Sequence, residues 1–416
     1  MFSDKLIKMS EEAEDALRPI FEKIDAISLK NTNRVLAAFK EHKVSDSMFT
    51  GTTGYGYDDI GRDTLDKIYA QVMGAEDGFV RHTIANGTQA LTIGLFGLLR
   101  PGDVMLSVTN QPYDTLCDVI GLNGKTGNGS LADFGVSYDQ VDFTKDKKID
   151  FDGIEKKLAF YGDKVKVVFI QRSKGYLERP TLTIDQIGEI VSFVHERSKA
   201  YVVVDNCYGE FTEEKEPCMV GADMAIGSLI KNPGGGIAES GGYIVGTKRA
   251  VELASYRLTS VGTGLEVGAT LGQNRNLFKG FFLAPHIVSQ ALKTAHFAAY
   301  MLEKMGFDVN PKYNEMRSDI IQTIKFGYKE GLIRFCQGIQ SASPVDSFVT
   351  PVPWAMPGYN DEVIMAAGTF TQGSSIELSA DGPIRDPYIA FLQGSLTYES
   401  GKIAILTAIS YLENNA

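Results

Sequence analysis

Residues 225–246 read AIGSLIKNPGGGIAESGGYIVG. A short apolar run ends in Ser228-Leu229-Ile230-Lys231, a glycine-rich turn follows, and 242–246 reads as a second short strand. Most lone lysines are solvated surface charges. This one has apolar Ile226 and Ile230 before it and three consecutive glycines after it, which leave space around the amine. A lysine so placed suits covalent attachment to an aldehyde cofactor. That reading asks the rest of the chain for a phosphate cradle, a carboxylate for a pyridine ring, an aromatic lid and a guanidinium for a carboxylate substrate.

Upstream, strands are expected at 78–83, 103–109, 134–141, 166–171 and 201–205, alternating with helices at 87–99, 113–122, 151–161 and 184–198. The apolar core Val202-Val203-Val204 is continuous, as in a strand covered on both faces. Strands at this spacing with helices between them mean βαβ units and a mostly parallel sheet. Between Asp205 and Lys231 the spacing leaves room for one more βα step. Downstream, 268–305 reads as a long, largely helical bridge. Beyond it, strands are expected at 319–326, 363–371 and 388–393, with helices at 328–341 and 399–413 and a proline-rich loop at 350–358 holding Trp354. Residues 1–45 repeat apolar positions at helical spacing and form an amphipathic segment that covers its own domain or packs on a neighbouring subunit. The expected division is an N-terminal helical arm over 1–50, a large cofactor-binding α/β domain over 51–290, and a C-terminal α+β domain over 291–416 with the long linking helix.

Within that frame the cofactor groups fall in order. Asn86-Gly87-Thr88-Gln89 opens a helix after a strand, where unpaired N–H groups suit a phosphate; Asn86 or Thr88 capping its own helix is the alternative. Ser228 could reach the same phosphate. Asp205 lies at the carboxyl edge of the sheet, where open α/β folds bind ligands, and could pair with a protonated ring nitrogen. A helix cap or turn is its other reading. Tyr113 is placed to stack on a flat ring or to pack at a helix start. Arg385, in ELSADGPIRDP, could grip a substrate carboxylate with its guanidinium fork, or form a surface salt bridge with Asp381 or Asp386. The loop GTTGYGYDDIGR (51–62) carries Tyr57 and Arg62 on a flexible backbone ahead of a helix at 63–73, a possible anion-binding arm.

Composition narrows the function classes. The chain has 416 residues, 44% hydrophobic and 22% charged, enough for two domains with sizeable cores. A formal charge of −11 argues against nucleic acid and anionic membrane as main partners. Four cysteines without a CxxC pair read as reduced thiols of a cytoplasmic protein, and five histidines without ligand spacing argue against a metal. The N-terminus lacks the apolar core of a signal peptide, and no apolar run reaches membrane-span length. The glycine clusters lack the GxGxxG context of a dinucleotide site. Gly124-Lys125-Thr126 imitates the end of a P-loop, but its first glycine would fall on Val119. A non-catalytic scaffold would have no need of the intact lysine, aspartate and arginine.

NGTQAL, VVVDN and GSLIKNPGGG together resemble the fold-type I pyridoxal-phosphate enzymes. With ELSADGPIR, the nearest resemblance is to the cystathionine β-lyase and methionine γ-lyase-like family often called aluminium-resistance proteins. The resemblance implies the aspartate aminotransferase-type fold. It makes Lys231 the Schiff-base lysine, Asp205 the pyridinium partner, Gly87, Thr88 and Ser228 the phosphate contacts, Tyr113 the stacking residue and Arg385 the substrate-carboxylate contact. Tyr57 and Arg62 would serve a neighbouring subunit's cofactor phosphate, in a homodimer or homotetramer with shared active sites. Ile230 replaces the threonine that better-known trans-sulfuration enzymes carry before the lysine. Gln171-Arg172-Ser173 replaces their asparagine-containing turn, making Arg172 a second candidate substrate contact. The implied activity is carbon–sulfur bond cleavage by β- or γ-elimination on a sulfur-containing amino acid. Transamination, racemisation or aldol cleavage on the same fold is the alternative.

Overall fold

The structure is a computed structural model and describes residues 2–124, 126–356 and 361–413. Lys125 of the P-loop imitation, and Pro357 and Gly358 of the proline-rich loop, lie outside the described residues.

The chain begins with α1 (Asp4–Glu41), capped by the Ser3 hydroxyl, and α2 (Ile60–Met73), capped by Asp59. Then come β1 (Asp77–Arg81), α3 (Gly87–Leu98), β2 (Val104–Ser107), α4 (Asp114–Ile120), β3 (Ser137–Gln140), α5 (Phe151–Tyr161), β4 (Val165–Gln171), α6 (Ile184–His195) and β5 (Tyr201–Asp205). The expected alternation is present over this stretch. Next are β6 (Met224–Ser228), β7 (Gly242–Gly246), α7 (Lys248–Leu258) and α8 (Asn274–Lys304). The connection from β5 to β6 holds only a single short turn of helix, at Pro217–Val220, in place of the expected βα step. The charged helix α7 has no counterpart in the sequence reading. The C-terminal part comprises β8 (Asp308–Asn310), β9 (Ile321–Lys325), α9 (Lys329–Ser341), β10 (Val363–Ala366), β11 (Ser379–Pro383), β12 (Ile389–Gln393) and α10 (Tyr398–Glu413).

The large sheet has the order β1-β7-β6-β5-β4-β2-β3. Its pairs are parallel except those of β7, which runs antiparallel to β6 and β1. Alternation explains the Val-Val-Val run of β5: Val203 enters the core under α3 and α7, while Val202 and Val204 enter the core under α5 and α6. The smaller sheet is wholly antiparallel, β10-β11-β12-β9-β8. Ala380, Ala390 and Leu392 on one face of it pack against α9 and α10. Helix α8 passes through residue 290 and serves both parts. Leu277 to Leu292 join the core with Tyr69 and Tyr243, and Phe297 to Leu302 join the C-terminal core. Helix α1 lies along α8 and buries Leu6, Ala13 and Leu17 in one core and Ile24, Val35 and Ala38 in the other. Its apolar face is therefore covered by its own chain. Among the described residues, no helix is long and apolar enough to cross a membrane.

The glycines after Lys231 serve the backbone more than the amine. A Cβ on Gly234 would lie 1.6 Å from the Leu229 carbonyl oxygen, and one on Gly235 would lie 2.4 Å from that of Gly280 in α8. Reciprocally, a Cβ on Gly280 would come within 2.3 Å of the Gly234 carbonyl oxygen. The turn folds back on itself and docks backbone to backbone on the helix. No rotamer relieves such a clash. Gly280→Ala should therefore cost about 1–3 kcal/mol as overpacking, while Lys279→Ala on the exposed side of the same helix should stay within about 0.5 kcal/mol. Denaturant midpoints of the two variants decide this.

Candidate active site

The carboxyl ends of β2, β4, β5 and β6 meet the C-terminal sheet around an open cavity of about 520 Å³. Lys231 lies three residues past β6, and its Nζ sits 4.1 Å from the centroid of the Tyr208 ring. Asn232, next to it, is fully buried and donates from Nδ2 to the Glu210 carbonyl oxygen at 3.0 Å. The lysine's backbone is thus tied to the segment after β5. Tyr208 and Phe211 in that segment have φ of 73° and 62°, a strained region for bulky side chains, and Glu210 between them is fully buried. Burial pushes the Glu210 carboxyl up to about 8, and its Oε1 accepts from the Tyr243 hydroxyl at 2.9 Å. Burial alone would lower the Lys231 ammonium, but Cys207, Tyr208, Asp205 and Glu210 outweigh it and hold it above the ordinary lysine range.

Asp205 is buried at the end of β5, lines the cavity, and accepts from the Cys207 N–H at 3.1 Å. In the next strand Gln171 stands in register with it. The Gln171 Oε1 accepts from the Tyr113 N–H at 2.7 Å, and its Nε2 donates to the Ser173 carbonyl at 3.0 Å. So Gln171 fixes the backbone of Tyr113, whose ring lines the cavity. Gly175 crosses beside that ring: its φ is +57°, and a Cβ there would lie 3.1 Å from Tyr113 Cδ2.

Next to the cavity is a candidate anion cradle. Ser228 is buried, and its hydroxyl has no hydrogen-bond partner among the described residues. The Cβ position of Gly87, at the start of α3, lies 3.4 Å from Ser228 Cβ and 3.5 Å from Cys207 Sγ. Asn86 caps α3 through the Gln89 N–H at 2.8 Å, and the N–H groups of Gly87 and Thr88 have no carbonyl within their own helix. Capping by Asn86 therefore does not use the N–H groups of Gly87 and Thr88. The Thr88 hydroxyl bonds that of Thr115 at 2.8 Å, bringing in a residue the sequence did not single out. Ile230 turns instead toward Gly373.

Two expected substrate contacts lie elsewhere. Arg172 is fully buried and faces away from the cavity: Nη1 donates to Asn206 Oδ1 at 2.8 Å and Nη2 to Glu213 Oε1 at 2.9 Å. Extended backbone alternates its side chains, so Gln171 and Ser173 face the cavity and Arg172 enters the buried network of Asn206 and Glu216. Arg385 is half-exposed, pairs with Asp361 at 2.9 Å, and lines a neighbouring cavity with Pro383 and Asp386. The acidic partner is neither Asp381 nor Asp386. The stretch read as a turn before it contains β11, whose pairing with β10 and β12 makes it a central strand.

That strand supplies what the sequence reading missed. Asp381 faces the Lys231 cavity with Phe391 and Gln393 of β12, while Ala380 faces the core. Its Oδ2 accepts from Gln393 at 3.3 Å, and its Oδ1 has no hydrogen-bond partner among the described residues; burial pushes its carboxyl up to about 7, against hydrogen bonds from Tyr176 and Gln393. The signal for it was period-two alternation across ELSADGP.

Tyr57 and Arg62 are outside this cavity. Tyr57 is 58% exposed and stacks on Tyr55. Arg62 is buried and pins the loop, donating from Nη1 to the Gly56 and Gly268 carbonyls and from Nε to Asp63. Among the described residues, no group of three or more His, Cys, Asp or Glu side chains is placed to hold a metal ion.

A family model described as methionine gamma-lyase matches residues 6–413. The Bacillus subtilis protein YnbB is 55% identical over 408 residues, 98% of this chain and 96% of its own. The crystal structure of a carbon-sulfur lyase involved in aluminum resistance from Clostridium novyi NT is 51% identical, with a TM-score of 0.95 over 99% of this chain and 96% of that one. CalE6, a methionine gamma lyase from Micromonospora echinospora, shares the fold at 19% identity with a TM-score of 0.57, over 84% of this chain and 86% of its own.

Two variants test the geometry. Arg172→Met leaves Glu213 without its guanidinium and the buried Glu216 with Arg34 alone and should cost about 3–5 kcal/mol of stability, seen by denaturant unfolding. Asp381 takes its proton more readily when folded (about 7 against 3.8 unfolded). The stability this contributes is fully present below pH 3.8 and is lost as pH rises through 7. Asp381→Asn, which does not ionise, should therefore melt a few degrees above the parent at pH 8.5, with the gap closing toward pH 4 in paired thermal scans.

Proposed function

The chain belongs to the methionine gamma-lyase family, and we propose that it is a pyridoxal-phosphate-dependent carbon–sulfur lyase acting on a sulfur-containing amino acid of the cystathionine, cysteine or methionine type. The elimination, β or γ, followed by hydrolysis, would release a thiol, ammonia and an oxo acid. The observation that carries this reading is the Lys231 amine lying over Tyr208 in the cavity that Asp205 lines.

The residues present fit pyridoxal phosphate. The buried Ser228 hydroxyl, without a hydrogen-bond partner among the described residues, faces the start of α3, where a Cβ on Gly87 would narrow the gap. That hydroxyl and the Gly87 and Thr88 N–H groups would hold the phosphate. Asp205 would hold a proton at the pyridine nitrogen, and Tyr113 would stack on the ring. When bound, the cofactor supplies a sink for the negative charge that develops at the substrate Cα. Lys231 Nζ would hold the cofactor between turnovers, take the Cα proton and deliver a proton to the departing fragment. Burial by the C-terminal sheet would keep water from that amine. The proposed role of Arg385 on the substrate carboxylate requires its pair with Asp361 to open.

We further propose a homodimer or homotetramer. Tyr57 and Arg62, outside the cavity of their own chain, would act at the cofactor phosphate of a second copy. Free thiols at Cys117, Cys207, Cys218 and Cys336 support the cytoplasmic placement.

Lys231→Ala should abolish both the visible absorbance of the cofactor-loaded protein and its turnover, by about 10³-fold or more. Borohydride reduction of the parent followed by peptide mapping should label Lys231. Wild-type turnover in the variant would sink the assignment. Amino transfer to an oxo acid, in place of thiol and ammonia release, would select the aminotransferase alternative.

A further inference from the structure

A second cavity of about 810 Å³ lies beside the first and shares Phe391 with it. One wall is the segment from Lys174 to Pro180; the other is formed by β8, β9 and β12 of the C-terminal sheet. Ser173 and Gly175 line the Lys231 cavity, while Lys174 between them lines the second one. One short segment thus forms part of the wall of both.

The second cavity is cationic in a chain whose formal charge is −11. Lys147, Lys174, Arg179, Lys312 and Lys325 line it, against Glu178 and Asp308. The five are not equivalent. Arg179 donates all three guanidinium nitrogens to backbone carbonyls, those of Lys174, Thr109 and Ser173. Lys312 pairs with Asp308 at 3.2 Å and Glu303 at 3.7 Å. Lys147 and Lys325 are exposed at the mouth.

Lys174 is the unusual one. It is 3% exposed, and its Nζ donates to Asn310 Oδ1 at 2.9 Å. Among the described residues it forms no ion pair with a carboxylate. Burial pushes its ammonium below the ordinary lysine range; Arg317 and Lys147 push the same way, against Asp319 and Glu315. An ammonium taken out of water without a counter-charge is costly, and an amide oxygen satisfies one of its three donors. The remaining donors and the surrounding positive field suit an anion that enters from solvent.

We propose that this cavity binds a small molecule carrying a carboxylate or phosphate group, with Lys174 as its central contact and Lys147 and Lys325 at its entrance. The site is separate from the phosphate cradle at Gly87 and Ser228 and goes beyond the elimination chemistry assigned above. Because Lys174 is flanked by two residues of the Lys231 cavity, an anion held there would act on the wall of the reaction site.

The test uses cofactor-saturated protein, so that the phosphate cradle is filled. Isothermal titrations with inorganic phosphate and, separately, with succinate should give saturable binding with at least one, and the tighter of the two identifies the anion class. Lys174→Met should weaken that binding by about tenfold or more, and Lys174→Arg should restore most of it. An unchanged visible cofactor band would show that the variants are folded. If Lys174→Met does not fold, the exposed pair Lys147→Gln/Lys325→Gln decides, with a several-fold loss expected. No saturable heat with either anion, wild-type affinity in the deciding variant, or displacement of the anion by a sulfur amino acid competing for the Lys231 cavity would each overturn the proposal.

Discussion

The site depends on a backbone-to-backbone contact. The turn after Lys231 rests on α8 where Gly234, Gly235 and Gly280 leave no room for a side chain. Asn232 locks the same turn to the Glu210 carbonyl. A lysine side chain has four rotatable bonds and large rotamer entropy, so a defined position for its amine has to come from below. Here the helix that joins the two parts of the molecule supplies that foundation. The same helix carries core residues of both sheets, so the lysine and the C-terminal wall facing it are referenced to one element.

Around the lysine, two sheets divide the polar work. The large sheet presents Asp205 and Gln171 from adjacent strand ends in register. The small sheet presents Asp381 and Gln393 from the face opposite its alanine- and leucine-rich core. Both sets follow from alternation along extended backbone. The cost is visible in the protonation of the buried acids: Glu210 and Asp381 hold their protons far above the normal carboxylate range because burial penalises the anion. Asp205 accepts the Cys207 N–H and lines the same cavity as Lys231.

Much of this was legible in the sequence. A valine run before Asp205 and a glycine run after Lys231 are local signals, and both residues lie where those signals place them. The failures have physical causes. Helix α7 is too mixed in charge to announce itself and owes its burial to Ala250, Val251 and Ala254 packing on α3. β11 contains Asp-Gly-Pro, a turn signature in isolation, and is made a strand by neighbours on both sides. The buried position of Arg172 is a matter of parity: one step along extended backbone separates a cavity residue from a core residue, and the sequence does not mark which is which. The acidic partner of Arg385 was not legible because it is Asp361, 24 residues earlier in the chain, and not one of the neighbouring aspartates. Helix α8 contributes side chains to the cores of both parts, as a linking helix would.

Helix α1 has a consequence for how the chain is made. Its apolar stripe is covered by α8, which begins more than two hundred residues later. At about 5–20 residues per second of synthesis, the stripe emerges on the order of 10–50 s before its cover exists. During that interval Leu6 and Leu17 lack the α8 surface that finally covers them, while Ile24 and Val35 have only α2 to pack against, so the N-terminal helix cannot complete its packing until most of the chain has been made.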